Sequence, residues 1–359
     1  MRLTSPKSVL FVGAYPKPAP LERFVSGDLA LRLQSLEWKV LVTSRRMGRV
    51  ARALAMPLDI WRWRRRYALA CVDVFSGPAF AWAEVACAQL RRLRKPYVLT
   101  LHGGNLPAFS RLHPGRVPKL LATAAAVTCP SAYLWTEMAP LRPDLLVLPN
   151  GLDLQRYALP VPRPPGHNLI WVRAFHELYN PALAIEALDR IRRDHPLARL
   201  TMIGPDKGDG SLRRTRSAVQ RLGLTGAVAF PGAIPKRDVA RHLAQAGVFL
   251  NTANCDNTPV SVLEALACGL PVVSTRVGGV PYLLAHGRTA LLVPPGDARA
   301  MAAAVGRLLA DPGLAADLGA RGRQLAESFD WSHILPQWQE LLAVAIRPTA
   351  SPAGGAQAN

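Results

Sequence analysis

Short apolar runs alternate with amphipathic segments along almost the whole chain, the pattern of parallel sheets covered by helices on both faces. In the first half the apolar runs predict strands over Val9–Val12, Trp38–Thr43, Ala70–Val74, Tyr97–Leu101, Val127–Cys129 and Leu145–Leu148. Helical spacing falls between them, most plainly over Leu21–Ser35 and Ala79–Arg94. The alternation breaks near Asn150-Gly151-Leu152-Asp153, and Pro160 to Gly166 supplies a stiff, proline-rich connection. A second series then starts afresh. It predicts strands over Leu169–Val172, Arg199–Ile203, Val228–Phe230, Val248–Leu250, Val272–Ser274 and Ala290–Val293. Its helices are predicted near Pro181–Arg193, Ser211–Leu222, Lys236–Gln245, Pro259–Ala267 and Ala298–Leu309, followed by Gly313–Phe329 and Trp331–Ala345. The fold class that follows is α/β, two doubly wound parallel-sheet domains facing a cleft at the carboxyl ends of their strands.

The expected boundaries are 1–159 for the first domain, 160–168 for the linker and 169–330 for the second domain. Residues 331–346 read as a terminal helix that packs back on the first domain, and 347–359 as a disordered tail. A length of 359 residues, half of them hydrophobic, suits two cores. No apolar stretch approaches the ~20 residues that span a bilayer, and the N-terminus lacks a signal peptide's apolar core. A cytoplasmic protein is therefore expected. The five cysteines are scattered and never spaced as Cys-x-x-Cys, so they read as buried thiols.

The net charge of +20 adds a second theme. Arg45, Arg46, Arg49 and Arg52 lead into Trp61-Arg62-Trp63-Arg64-Arg65-Arg66-Tyr67, and Arg91, Arg92, Arg94 and Lys95 form a second concentration. Interleaved Trp and Arg suits an anionic membrane surface, where each cation near the lipid is worth about 1 kcal/mol. Solvated arginine-rich helix faces fit the same residues. A peripheral position on the inner face of a membrane is the corresponding expectation, and nucleic acid is not an expected partner.

The densest chemistry lies in Asp256-Asn-Thr-Pro-Val-Ser-Val-Leu-Glu264. Two carboxylates, with seven residues between them, flank a predicted helix start. Thr258 suits the N-cap and Pro259 the first helical position. The amides of the next turn, on Val260 and Ser261, then form a ready site for phosphate. A diphosphate flanked by hydroxyl-rich groups fits this arrangement, which points to a nucleotide-sugar.

This region resembles the donor-binding signature of family 4 glycosyltransferases, retaining enzymes of the GT-B fold with two Rossmann-like domains. The matching residues are Glu264-Ala-Leu-Ala-Cys-Gly-Leu-Pro-Val-Val273, Gly278-Gly279 and Leu292-Val-Pro-Pro-Gly-Asp297, with Pro149-Asn-Gly-Leu-Asp153 at the domain handover. The resemblance implies that Glu264 binds the ribose hydroxyls and that Asp256, where relatives often carry Glu, lies near the sugar. It implies backbone contacts from Thr258, Pro259, Val260 and Ser261. Arg173 falls at the phosphate-gripping position after a strand, whereas the family's following Lys is missing and Tyr179 aligns in its place. In the first domain, His102 ends a strand where relatives set a histidine against the transferred sugar, and Gly13 ends the first strand where backbone can approach the donor or acceptor.

No Asp-x-Asp pair and no His/Cys cluster suggests a metal, and no cofactor is expected beyond the nucleotide-diphosphate sugar as substrate. The resemblance implies front-face displacement, in which the leaving phosphate helps take the acceptor proton. The expected acceptor is a lipid-linked sugar or a cell-surface glycan, as in polysaccharide or lipopolysaccharide biosynthesis. A nucleotide-sugar epimerase on the same fold, a non-catalytic relative and a basic nucleic-acid binder are the rival readings.

Overall fold

In the computed structural model the described residues are 7–13, 15, 21, 24–43, 49–157 and 166–346. The first domain runs β1 (Ser8–Val12), α1 (Val25–Ser35), β2 (Lys39–Val42), α2 (Arg49–Arg62), β3 (Leu69–Val74), α3 (Phe80–Arg92), β4 (Tyr97–Leu101), α4 (Leu106–Leu112), α5 (Arg116–Ala122), β5 (Ala126–Cys129), α6 (Ala132–Met138) and β6 (Leu146–Val147). The second runs β7 (Asn168–Val172), α7 (Pro181–Asp194), β8 (Arg199–Ile203), α8 (Ser211–Arg221), β9 (Val228–Gly232), α9 (Lys236–Ala244), β10 (Val248–Asn251), α10 (Val260–Ala267), β11 (Val272–Thr275), α11 (Val280–Leu283) and β12 (Leu291–Val293). Three helices close the chain: α12 (Ala298–Ala310), α13 (Pro312–Glu327) and α14 (Trp331–Ile346).

Each domain holds one six-stranded, wholly parallel sheet, ordered β2-β1-β3-β4-β5-β6 and β12-β11-β10-β7-β8-β9. The inner strands are continuous apolar runs because helices cover both faces; all five residues of β1 are buried. Each sheet accordingly has two apolar clusters, one per face. On the first sheet, one cluster sets Val9, Phe11 and Val98 against Trp331, Ile334, Trp338 and Leu342 of α14. The last helix therefore belongs to the first domain's core although it follows the second in sequence. Burying each of those four side chains contributes roughly 1.5–3 kcal/mol, which anchors the helix.

The expected strands all form, with ends shifted by a residue or two. The helices differ more. α1 starts at Val25, not Leu21, whose carbonyl instead accepts Phe24 N–H in a preceding turn. α2, α4, α5 and α6 had no predicted counterpart: α4, α5 and α6 are seven residues each, and α2 contains Pro57 and is dense in arginine. β7 begins at Asn168, so the second sheet starts inside the expected linker. The rest of that linker from 160 to 165, the tail at 347–359, and Arg45 and Arg46 lie outside the described residues. Four cysteines are buried and Cys255 is half-buried; burial pushes the Cys87, Cys129 and Cys268 thiols up to about 12.

Candidate active site

Both sheets reverse their winding once. β1 lies between β2 and β3, and β7 lies between β8 and β10. Crevices open at the carboxyl ends of strands beside such switch points. The candidate residues gather at these two places.

At the second-domain switch point, Arg173 directly follows β7 and Asp256 stands in the loop between β10 and α10. Arg173 Nη2 and Asp256 Oδ2 form an ion pair. The guanidinium also lies over the Tyr179 ring, 4.3 Å from its centroid. Tyr179 thus meets Arg173 with its ring face. Asp256 is 8% exposed, and its other oxygen accepts the Asn257 N–H at 2.9 Å. The Gly278-Gly279 turn presses on this loop: a Cβ on Gly278 would sit 2.1 Å from the Asp256 carbonyl oxygen, and one on Gly279 2.0 Å from that of Asn257. Only glycine fits there.

α10 begins at Val260, with Pro259 as its extended N-cap at ψ 105°. This departs from the expected cap at Thr258, whose hydroxyl donates instead to the Pro130 carbonyl of the first domain at 3.4 Å. The Val262 and Leu263 amides bond to Pro259 at 3.0 and 3.2 Å, so the Val260 and Ser261 amides precede the first intrahelical bond. Ser261 Oγ and Arg173 Nε are buried without a hydrogen-bond partner among the described residues. Each such atom costs about 1–3 kcal/mol, and both belong to residues framing the same loop.

Glu264 lies one turn further along α10 and is 6% exposed. Burial pushes its carboxyl up, while Lys236, a hydrogen bond from the Tyr157 phenol, Arg173 and Arg156 pull it the other way. Burial and the neighbouring Glu264 together drive the Tyr157 phenol well above its ordinary range, so it remains a donor.

At the first-domain switch point, His102 follows β4 with Nε2 3.0 Å from Asp73 Oδ1. Asp73 also accepts hydrogen bonds from Ser26 at 2.5 Å and from Tyr15 at 2.8 Å. Phe75 stacks on the imidazole at 4.9 Å with the rings 18° apart. Gly13 adjoins this group: a Cβ there would lie 2.4 Å from Asp73 Oδ2 and 2.8 Å from the Tyr15 hydroxyl. Its close approach is to the domain's own carboxylate.

Loops from the first domain reach the 256–258 segment. Ser131, which caps α6, bonds to Asn257, and Gly104, two residues past His102, abuts the Asp256 carbonyl closely enough that a Cβ would lie 3.0 Å from its oxygen. Lys236 and Asp28 meet across the cleft at 3.8 Å. The structure therefore brings Arg173, Tyr179, Asp256, Thr258, Pro259, Val260, Ser261 and Glu264 to one crevice, with His102 and Gly13 grouped in the other. Sequence reasoning missed Asp73, Tyr15, Ser26 and Tyr157. Asp73 left a trace, a lone charge in the otherwise apolar run Leu69–Val74.

Among the described residues no group of three or more His, Cys, Asp or Glu is placed to hold a metal ion, and no helix is long and apolar enough to cross a membrane.

The profile described as Glycosyltransferase Family 4 matches residues 9–156, and that of Glycosyl transferases group 1 matches 166–311. The chain is 28% identical over 307 residues to D-inositol 3-phosphate glycosyltransferase of Acidothermus cellulolyticus, covering 76% of this chain and 68% of that protein. It is 34% identical over 169 residues to the GDP-mannose-dependent alpha-(1-6)-phosphatidylinositol monomannoside mannosyltransferase of Mycolicibacterium smegmatis, covering 45% and 44%. With the putative colanic acid biosynthesis glycosyltransferase WcaL of Salmonella typhimurium, it shares 30% over 247 residues, covering 64% and 60%. The matches thus span from about two-fifths to two-thirds of these relatives' own lengths. In structure it resembles Anabaena HepE solved with UDP and glucose, at TM-score 0.77 and 19% identity over 94% of this chain and 99% of that one. It also resembles sucrose-phosphate synthase of Thermosynechococcus elongatus, at TM-score 0.78 and 19% identity over 93% and 98%.

Proposed function

The chain belongs to the family 4 glycosyltransferases, with the GT-B fold, and from that premise we propose that it moves a sugar from a nucleotide-sugar donor to a lipid-linked or cell-surface glycan acceptor, with retention at the anomeric carbon. The observation that carries this reading is the second-domain crevice. A buried Arg173–Asp256 pair, two unpartnered polar atoms, a helix start and a buried Glu264 converge there.

In this reading the donor diphosphate lies against Arg173 and the Val260 and Ser261 amides, which carry the leaving charge without a metal ion. Thr258 and Pro259 shape the loop backbone beside it, and the Tyr179 ring holds Arg173 in place. Glu264 accepts the ribose hydroxyls. Asp256 and His102 orient the transferred sugar, while Gly13 makes room for the Asp73 carboxylate at the end of β1. The leaving phosphate takes the acceptor proton. One relative is named for dependence on GDP-mannose and for a phosphatidylinositol monomannoside, and another for colanic acid biosynthesis, which supports donor and acceptor of these kinds.

The first domain adds a surface suited to a membrane-borne acceptor. Leu58 and Trp61 on α2 and Trp82 and Val85 on α3 are exposed, and these helices adjoin through a hydrogen bond from Gln89 to the Pro57 carbonyl at 2.8 Å. Arg62, Arg65 and Arg66 are exposed beside them, and Arg64 lies over the Trp61 ring at 4.3 Å. Apolar knobs among arginines fit the headgroup boundary of an anionic leaflet, placing a cytoplasmic enzyme peripherally on the inner face.

A thermal-shift screen of nucleotide-sugars against the wild type and Glu264→Ala tests the donor site, because a ligand of the folded state raises the midpoint. A shift in the wild type that Glu264→Ala abolishes is expected, with transfer activity undiminished by EDTA. If no nucleotide-sugar shifts the wild type, the reading fails. Donor binding with no transfer to any acceptor selects the non-catalytic alternative, and conversion of the donor sugar without transfer selects the epimerase. Flotation on liposomes containing anionic lipid, lost when Trp61 and Trp82 become Ser, checks the membrane surface; undiminished flotation removes it.

A further inference from the structure

Asp73 joins four separate parts of the first domain. It stands near the end of β3, and its partners come from the segment after β1 (Tyr15), from α1 (Ser26) and from the end of β4 (His102). Its Oδ1 accepts from Ser26 and faces His102 Nε2, while Oδ2 accepts from Tyr15. Burial, reinforced by the Asp73 charge, drives the Tyr15 phenol well above its ordinary range, so this partner stays a donor. A carboxylate only accepts, so the His102 proton belongs on Nε2.

We infer that Asp73 is a positioning residue for sugar transfer: it locks His102 in the Nε2–H form, leaving Nδ1 as an acceptor for a hydroxyl of the transferred sugar. The inference rests on the proposed function, in which His102 meets that sugar. Phe75 covers one face of the imidazole, which leaves the ring edge for polar contact. Nδ1 and Nε2 occupy opposite sides of that edge, so fixing one aims the other. Gly13 belongs to the same device, because any Cβ there would push the carboxylate aside. The geometry also argues against Asp73 as the attacking group. Both its oxygens are engaged, by three partners in all, and its side chain is only 11% exposed, whereas a nucleophile needs an oxygen free to reach the anomeric carbon.

Nitrogen-15 NMR of the full-length protein reads the tautomer directly. The His102 ring is expected to show a protonated Nε2 and a bare Nδ1 when neutral; a neutral ring protonated on Nδ1 overturns the inference. Asp73→Asn presents an amide donor to Nε2 and should move the proton to Nδ1, the change that selects the wrong tautomer in other histidine–carboxylate pairs. Its kcat should fall about 10–100-fold, with the donor KM changed less than about threefold. Wild-type kcat despite a moved proton overturns the inference, as does a retained Nε2–H form. Should Asp73→Asn fail to fold, the wild-type spectrum and Tyr15→Phe still decide, the latter with a smaller loss of kcat and no loss of donor binding. Glu264→Ala separates the two levels. If donor binding depends on Glu264 while Asp73→Asn turns over normally, only the positioning inference fails; if donor binding ignores Glu264, the functional reading fails with it.

Discussion

The two switch points each hold a nearly buried aspartate, and the two are satisfied in opposite ways. Asp256 is answered by a full cation, Arg173, in a single ion pair. Asp73 is answered by two hydroxyls and an imidazole, none of which brings a permanent charge. Arg173 Nε has no hydrogen-bond partner among the described residues, so Arg173 can take an anionic oxygen while still holding Asp256. A fan of hydroxyl and imidazole donors instead fixes proton positions and resists exchange. The second-domain crevice is thus suited to receive a charged group, and the first-domain crevice to orient a neutral one.

Removing Arg173 should break this contrast most severely. Arg173→Ala is expected to lower kcat/KM about 100–1000-fold. It also leaves Asp256 buried without its cation, which costs about 3–5 kcal/mol. Adding Asp256→Asn should restore the thermal midpoint without restoring turnover. A midpoint that stays low in the double variant would show that the pair is not the source of the loss.

Gly13→Ala is the corresponding insult to the first domain. Its Cβ overlaps the Asp73 carboxylate, an overpacking worth about 1–3 kcal/mol in urea denaturation, and kcat should fall with it. Donor-induced thermal shifts should survive, because that crevice is built from the other sheet. Their loss would mean that the two crevices do not work separately.

Glu264→Gln sharpens the comparison through pH. Burial holds the folded carboxyl above its ordinary value near 4.5, so around and above that value the native state binds more protons than the unfolded chain. This contribution favours folding at low pH and is lost as pH rises from 4.5 through the folded value. Without donor, Glu264→Gln should therefore match the wild type in acid and exceed it in thermal midpoint at pH 8, while binding donor about tenfold more weakly. A variant equally or less stable at pH 8 would contradict this account. The smallest effect belongs to Tyr179. Tyr179→Phe keeps the ring beneath Arg173 and should be nearly silent, whereas Tyr179→Leu loses about 0.5–1 kcal/mol of cation–π contact, read in donor affinity. A deleterious Phe variant would assign the work to the hydroxyl.

The fold was legible because a doubly wound sheet writes itself as apolar strands with helical spacing between them. Asp256 and Glu264 were legible because a helix start after a strand, with acids at fixed spacing, is local in sequence, whereas Arg173 stood out only through the family resemblance. The pairing of Arg173 with Asp256 was not legible: residues 173 and 256 meet only through β7 and β10 becoming neighbours. Asp73 was hidden for the same reason, since its partners at 15, 26 and 102 are distant in sequence and individually ordinary. The cap of α10 was misplaced at Thr258 because its hydroxyl is claimed by Pro130 of the other domain, which no local rule could reveal.

The handover between domains also has a mechanical meaning. The chain leaves the first domain through Gly151-Leu152 and comes back through Phe329-Asp330-Trp331, and these passages run side by side. Leu152 N–H bonds to the Phe329 carbonyl at 2.7 Å, and Trp331 N–H to the Leu152 carbonyl at 3.1 Å. Gly151 lies flat on the Trp331 ring, where a Cβ would approach to 2.3 Å. Two short parallel passages stitched by backbone hydrogen bonds make a two-stranded seam and not a single loose tether, and that seam sets the line along which the domains join.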